Sequence, residues 1–284
     1  MKQIKSLFVL MIALSACLFT ACEQENKGTI YNPENQGLSF TFGTVSLSAP
    51  ANNPIISVPI YRSVAGEAYT ANIVSTVSEA SAGITVPSSI SFESGSLESS
   101  ISINLGALTV GKKATIKINL DEKDASAGGI STITVTANKE YVYQKLGTGT
   151  FTDNWSSGKT YNVEIQKAEG FERYRIIDPY KESLTNDDGD WGSWIALSTR
   201  ASYIELWKDN EIIFYDTFAL GLNYQAVSTQ PIKAYHPSKF DGLSSKQNKK
   251  LDDKTIQLAP YFYVSGMGGW NESENDGVII ITLP

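Results

Sequence analysis

The sequence predicts an all-β protein with two antiparallel β-sandwich domains in tandem. From Leu38 onward, short runs of alternating apolar and polar residues recur about every ten residues, separated by Gly, Ser, Asn and Pro. This alternation, rich in β-branched residues, is typical of half-buried strands. The composition changes across residues 138–146, because all five tryptophans lie beyond that stretch. We therefore predict one domain at residues 37–140 and an aromatic-rich sandwich or jelly-roll-like domain at residues 141–284.

The first 21 residues have the pattern of an export signal. Lys2 and Lys5 precede a short apolar run at residues 6–18. Such a run is too short for a membrane span, which needs about 20 apolar residues, and is typical of a signal peptide. Leu18-Phe19-Thr20-Ala21-Cys22 closes this segment and resembles the lipobox of bacterial lipoproteins, in which cleavage precedes a lipid-carrying cysteine.

The lipobox resemblance implies that residues 1–21 are a lipoprotein signal peptide and that Cys22 carries the lipid. Polar residues 22–36 then form a flexible tether. Cys17 is the alternative attachment site, because Leu14-Ser15-Ala16-Cys17 also has the lipobox pattern. An ordinary signal peptide with incidental cysteines is the remaining alternative. The anchored protein is expected at the outer membrane, on the cell surface, with a periplasm-facing position as the alternative.

Charge and cysteine content exclude several classes of partner and chemistry. Removal of residues 1–21 takes away Lys2 and Lys5 and no acid, which lowers the net charge from −7 to −9. An acidic chain without a basic cluster disfavours nucleic acids and charge-driven adhesion to anionic lipids. The lipid is thus the predicted membrane contact. Both cysteines lie in the export segment, so the domains have no disulfide and no thiolate nucleophile.

The first domain resembles the Calx-beta family of immunoglobulin-like sandwiches. The resemblance covers residues 45–62, residues 90–103 and two closing strands. Its most recognisable part runs from Ile90-Ser91-Phe92 through Gly95 into an alternating strand. Some members of that family bind calcium through loop carboxylates, and calcium needs six to eight oxygen ligands. Here Lys123 interrupts the loop acids at positions 121–124, so we expect a solvated hairpin loop instead.

The second domain resembles a class of uncharacterised surface lipoproteins from Bacteroidota-type bacteria. The likeness rests on residues 146–153, 174–180 and 258–270, and it implies no established reaction. A hairpin is predicted to turn at Asp209-Asn210; both of its faces are apolar, so we expect a central position with cover on each side. The predicted strands are residues 161–166, 174–177, 194–197, 203–207, 212–218, 255–258, 261–264 and 278–283.

Signals for catalysis are weak. His236 is the single histidine, which excludes Cys-His catalysis and multi-histidine zinc sites, and no Gly-x-Ser-x-Gly elbow is present. We expect a surface or packing role for His236, and an ion pair of Arg175 with Asp178 or Asp153. No cofactor motif appears. We therefore expect no enzyme, no metal and no cofactor; a hydrolase with two carboxylates about 5 to 10 Å apart is the alternative.

The candidates for ligand binding are aromatic and acidic residues of the second domain. Sugar sites combine aromatic faces with carboxylates and amides, and ligand sites in general pair apolar walls with a few polar groups. An Asp/Gly turn and core tryptophans are the structural alternatives, and Trp155 and Trp207 are expected in the core. The candidate residues are Asp187, Asp188, Asp190, Trp191, Trp194 and Trp270.

The predicted function is therefore non-enzymatic binding of a polysaccharide or host glycan at the cell surface. The alternative is a structural subunit, an adhesin of fimbrial type that contacts neighbouring surface proteins through a donated strand. The glycoside hydrolase described above is the second alternative.

Overall fold

A computed structural model of the chain describes residues 35–78, 83–224, 230–271 and 277–284. Its regular secondary structure consists mainly of strands, and the all-β sandwich prediction is confirmed. Cys17, Cys22 and the rest of the export segment lie outside the described residues. Within the described ranges, no helix is long and apolar enough to cross a membrane. The chain divides into two compact units.

The first unit lies within Met1–Leu47, Ile55–Leu108 and Lys113–Ala137. A five-stranded sheet has the order β1-β7-β6-β3-β4, and β2 pairs with β5. Strand residues alternate between buried and exposed positions, so Val58, Ile101 and Ile116 enter the core. The strands are β1 (Thr44–Pro50), β2 (Ile55–Tyr61), β3 (Tyr69–Val77), β4 (Ser89–Phe92), β5 (Glu98–Asn104), β6 (Lys113–Leu120) and β7 (Thr132–Glu140).

A buried arginine holds the β4–β5 loop of the first unit. The Arg62 side chain is 4% exposed and donates to the carbonyl oxygens of Ser96 at 2.6 Å, Glu67 at 3.0 Å and Glu93 at 3.0 Å. Its guanidinium also lies 5.2 Å from the centre of the Phe92 ring. Carbonyl acceptors thus satisfy a buried cation, which would otherwise be costly to desolvate. The sequence pattern did not point to this role.

The acidic loop before β7 makes internal contacts. Lys123 forms an ion pair with Asp121 at 3.3 Å, and Asp124 is buried and accepts a hydrogen bond from the Tyr69 hydroxyl. The backbone N–H of Lys123 lowers the pKa of the Asp121 carboxyl. In the part of the chain that the structure describes, no three His, Cys, Asp or Glu side chains gather in a metal-binding arrangement.

The second unit holds Ser48–Pro54, Thr109–Lys112 and Asn138–Pro284. An eight-stranded sheet has the order β12-β11-β10-β9-β8-β19-β16-β15, and a four-stranded sheet has the order β13-β14-β17-β18. The strands are β8 (Tyr143–Asp153), β9 (Thr160–Ala168), β10 (Arg173–Ile177), β11 (Tyr203–Asp209), β12 (Ile212–Tyr215), β13 (Phe218–Asn223), β14 (Pro231–Tyr235), β15 (Lys249–Lys250), β16 (Thr255–Leu258), β17 (Tyr261–Val264), β18 (Gly268–Asn271) and β19 (Ile279–Thr282).

The two sheets of the second unit share one core. Ile165, Ile204 and Ile281 of the larger sheet and Leu220 and Phe262 of the smaller sheet are all at most 1% exposed. The two end strands of the larger sheet lie close together. The backbone N–H of Ile213 in β12 donates to the Asn248 carbonyl, just before β15, at 2.8 Å. One short helix, α1 (Lys181–Thr185), leads into the loop that carries the candidate acids.

Several local expectations for the second unit were wrong. The segment predicted as a strand at residues 194–197 is not one. It joins the end of a 3-10 turn, Gly192–Trp194, to the start of another, Leu197–Thr199. The hairpin pairs Asp209 with Ile212, so its two-residue loop is Asn210-Glu211, one position later than predicted. Asn210 has a φ of +53°, which asparagine tolerates in such turns.

The expectation that apolar layers cover both faces of this hairpin was also wrong. Ile204, Leu206 and Ile213 face the core, whereas Tyr203 on the other face is 41% exposed. On that outer face Trp207 is half-buried rather than core, and the Arg173 guanidinium lies 4.6 Å from its ring. A long polar side chain of the same sheet, rather than a second apolar layer, covers this tryptophan.

Candidate functional site: two aromatic surfaces

Three of the predicted ligand contacts come together with a fourth tryptophan. The ring centroids of Trp155 and Trp191 are 5.3 Å apart, those of Trp191 and Trp194 are 5.7 Å apart, and those of Trp155 and Trp270 are 5.6 Å apart. We call Trp270, Trp155, Trp191 and Trp194 the tryptophan row. All four are half-buried and pack against the core, and Trp155 stacks on Phe262 at 4.5 Å.

The backbone around the tryptophan row is held by carboxylates. Asp187 accepts hydrogen bonds from the backbone N–H groups of Trp191 at 2.6 Å and Gly192 at 3.1 Å. Asp153, which is 2% exposed, accepts from the Trp155 backbone N–H at 2.9 Å and from the Tyr180 hydroxyl at 2.9 Å. Burial raises the pKa of the Asp153 carboxyl, against the effect of these hydrogen bonds.

A glycine allows the loop to approach the row closely. A Cβ atom on Gly189 would lie 2.1 Å from Nε1 of Trp191 and 2.4 Å from the Ser156 carbonyl oxygen. The indole N–H of Trp191 donates to that same carbonyl at 3.1 Å. The Asp-Asp-Gly-Asp stretch is therefore a tight turn that seats Trp191, which was the structural alternative for this cluster.

The three predicted acids have different surroundings. The carboxylate of Asp187 is occupied by backbone donors, as described above. Asp188 pairs with Lys159 at 2.7 Å and accepts a hydrogen bond from the Tyr161 hydroxyl, and these contacts lower its pKa. Asp190 is exposed and has a φ of +55°, and its side chain has no hydrogen bond to the described residues. Only Asp190 therefore presents a carboxylate without a partner there.

The faces of the tryptophan rings are largely covered by other rings. Trp155 lies against Phe262 on the core side and against Trp191 within the row, and Tyr224 meets Trp194 edge to face at 5.0 Å. A sugar ring packs on the open face of an aromatic side chain. The ring contacts of the row are therefore those of a packed aromatic cluster.

A second aromatic surface, which sequence reasoning missed, lies on the outer face of the four-stranded sheet. Tyr261 and Tyr263 of β17 alternate with buried Phe262, and Tyr235 of β14 pairs with Tyr261. Phe240 lies among them, 4.5 Å from the Tyr261 ring centroid. We call Tyr235, Phe240, Tyr261 and Tyr263 the tyrosine face. All four side chains are half-buried.

The tyrosine face keeps its polar groups unpaired. Among the described residues, the hydroxyls of Tyr235, Tyr261 and Tyr263 have no hydrogen-bond partner, whereas buried tyrosine hydroxyls usually find one. A Cβ atom on Gly269 of β18 would lie 2.7 Å from Cε1 of Tyr261, so glycine lets that ring lie close over the edge strand. The signal in the sequence was the run of three aromatic residues Tyr261-Phe262-Tyr263, because in a strand the first and third side chains lie on the same face.

The outer face of the eight-stranded sheet carries a charged network. Arg175 lies between the rings of Tyr143 at 3.8 Å and Tyr203 at 4.5 Å, and its Nε donates to Glu205 at 2.9 Å. Arg173 also donates to Glu205, at 2.6 Å. Partial burial opposes ionisation of Glu205, but the hydrogen bonds from Arg175 and Arg173 outweigh it and lower its pKa.

This network corrects the expected partner of Arg175. Asp178 instead forms a two-fold contact with Arg200, at 2.6 and 3.0 Å, and Asp153 is buried against Tyr180. An ion pair was expected from the residue type, but antiparallel pairing places Arg175 opposite Glu205. Neighbours across a sheet are distant in sequence, so the partner could not be chosen from local spacing.

His236 has a packing role. It is 1% exposed, stacks on Phe214 at 4.4 Å, and its Nδ1 lies 2.7 Å from the Ser238 hydroxyl. Burial lowers the pKa of the imidazole. In the described part of the chain, no carboxylate forms a hydrogen bond or ion pair with it, so the His236–Ser238 pair lacks the acid of a catalytic triad.

Comparisons with known proteins identify no family. No protein-family model and no curated protein match the chain. Among solved structures, a multidomain protein including DUF1735 from Bacteroides ovatus has 10% identity and a TM-score of 0.32 over 87% of this chain and 93% of that chain. Calcium-binding domain CBD12 of CALX1.1 has 14% identity and a TM-score of 0.29 over 52% and 85%.

A third structure is the class 5 fimbriae chaperone CfaA, with 10% identity and a TM-score of 0.25 over 87% of this chain and 100% of that chain. Similarity at these levels transfers neither an activity nor a partner to this chain.

Proposed function

We propose that this protein is a lipid-anchored surface protein whose second unit binds a glycan without chemical conversion, through the tyrosine face. The observation that carries the proposal is a set of half-buried aromatic rings on the outer face of a sheet, with three hydroxyls that have no partner among the described residues. Such rings supply apolar area that can pack on the C–H face of a sugar ring. Their hydroxyls both donate to and accept from sugar hydroxyls.

The tyrosine face supports this function better than the tryptophan row. The row uses its ring faces, the Trp191 N–H and two of its three neighbouring carboxylates for contacts within the protein. The rings of the tyrosine face also contact one another, with Phe240 4.5 Å from Tyr261, but their three hydroxyls have no partner among the described residues and are left for a ligand. The fimbrial subunit gains no specific observation in the described residues. The hydrolase gains only the presence of Glu205 and Asp216 in one groove, where Arg173 and Arg175 already hold the Glu205 carboxylate.

A glycan array, followed by titration calorimetry with the polysaccharides that bind, tests the proposal. We expect Tyr261→Ala and Tyr263→Ala each to weaken binding about tenfold or more, which corresponds to ~1.4 kcal/mol. Phe171→Ala is the matched control, because Phe171 is another aromatic residue of this unit with 40% exposure and lies outside the tyrosine face. Its affinity should equal that of the parent protein.

Two results would overturn the assignment. Absence of binding to every glycan on the array would remove the function. Loss of binding in Trp191→Ala and Trp270→Ala with full binding in Tyr261→Ala would move the site to the tryptophan row.

The lipid anchor has its own test. In a bacterial host with lipoprotein processing, we expect the mature protein to fractionate with membranes and to begin at Cys22 with added acyl mass. Cys22→Ala should release it to the soluble fraction, and Cys17→Ala should not. Mass spectrometry of the N-terminal peptide decides the site, and an unmodified N-terminus would contradict the anchor.

A further inference from the structure

A groove of about 670 Å³ lies beside the tyrosine face. It is lined by Tyr203 and Glu205 of β11, by Asp216 and Thr217 between β12 and β13, and by Lys233 and Tyr235 of β14, among others. This volume is in the range of ligand pockets in proteins. All of these residues belong to the second unit.

The groove is continuous with the tyrosine face. Tyr235 belongs to both surfaces, and Lys233, which also lines the groove, pairs across the sheet with Tyr263 of the face. The two β14 residues lie two positions apart and therefore point to the same side of the sheet. A ligand that covers Tyr235 can reach both surfaces.

The polar groups of the groove are available to a ligand. The side chains of Ser202, Asp216, Thr217 and Lys233 are exposed and form no hydrogen bond or ion pair with the described residues. Glu205 differs from them, because Arg173 and Arg175 hold its carboxylate in place and keep it ionised. The groove thus offers the polar side chains of these four residues, while both oxygens of Glu205 already accept hydrogen bonds within the protein and place a fixed negative charge there.

We infer that the groove and the tyrosine face form one extended site for a chain of several neutral sugar units, an inference that rests on the proposed function. A hydroxyl-rich chain can pair with these polar groups, whereas an apolar partner would remove them from water without replacing their hydrogen bonds, which is unfavourable. Glu205 and Asp216 within a chain of net charge −7 disfavour a polyanionic ligand.

Titration calorimetry with gluco-, manno- and xylo-oligosaccharides, from disaccharide to octasaccharide, tests the extended site. We expect affinity to rise with chain length by about tenfold or more before it levels off, because longer chains reach the groove. Tyr203→Ala and Asp216→Ala should remove the gain for long chains and leave the affinity for disaccharides unchanged. Tyr261→Ala should weaken binding at every length.

Glu211→Ala is the matched control for Asp216→Ala, because Glu211 is a 93% exposed carboxylate in the β11–β12 turn and does not line the groove. Affinity that depends on Tyr261 but not on chain length would overturn the extended site and leave the proposed function standing. Tighter binding of polygalacturonate fragments would overturn the neutral-chain assignment. Binding of no saccharide, with a dimer that Tyr261→Ala dissociates, would overturn both proposals in favour of a contact between copies.

Discussion

The tryptophan row and the tyrosine face both contain aromatic rings that contact one another, and they differ in what their polar groups contact. In the row, rings stack on one another and on Phe262, and the Trp191 N–H has a carbonyl partner. In the face, Tyr261 and Tyr263 stand on a sheet whose opposite side is buried, and their hydroxyls have no partner among the described residues.

This difference separates packing from recognition. An aromatic side chain stabilises a fold through the apolar area that it buries, and it recognises a ligand through the area and polar groups that it leaves open. Richness in tryptophan therefore marks where the second unit is held together. The available polar atoms mark where we expect it to bind.

The largest expected effect is on stability, through Trp155→Ala. Trp155 lies at the centre of the row, between Phe262 and Trp191, so its removal leaves a cavity against the core. Truncation of a large core aromatic costs about 3 to 5 kcal/mol, and we expect about 3 kcal/mol here because the ring is only half-buried. Urea unfolding followed by circular dichroism measures the change.

Tyr263→Ala is the comparison for that measurement. It removes a half-buried ring from the outer face of a sheet, and we expect it to cost about 1 kcal/mol or less. Equal losses for Trp155→Ala and Tyr263→Ala would show that the two surfaces do not differ in the way proposed.

A smaller effect is the pH dependence of stability that arises from His236, the residue after Tyr235. Burial lowers the pKa of His236 below its ordinary value of 6.5. Below that ordinary value the unfolded chain binds a proton that the folded chain does not, so stability falls as the pH decreases from about 6.5 through the folded-state pKa. Above about 6.5 this contribution is complete.

Histidine NMR and urea unfolding at several pH values check the dependence. The chain has a single histidine, so one imidazole resonance should titrate below pH 6.5. His236→Phe keeps a ring against Phe214 and should lose this part of the pH dependence. A titration at or above 6.5 would contradict the burial argument.

The positions of many strands of the second unit were predictable from the sequence, but that of residues 194–197 was not. Tyr203 to Trp207 and Tyr261 to Val264 were predicted as strands because they are short runs rich in aromatic and β-branched residues, and both are strands in the structure. Residues 194–197 resemble a strand in sequence because they are apolar. In the structure Ile195 packs against the core and forms an isolated bridge with Leu222 of β13. Tertiary contact, rather than periodicity, determines such a segment.

By itself, the sequence determined the all-β architecture, the absence of cysteine chemistry in the folded part and the aromatic character of residues 141–284. These depend on period and composition, which are local properties. The tertiary structure alone decided that Arg175 meets Glu205, that four tryptophans pack together and that Tyr235 and Tyr263 share an open face. Such contacts join residues that are distant along the chain, and only the strand order and register of the sheets bring them together.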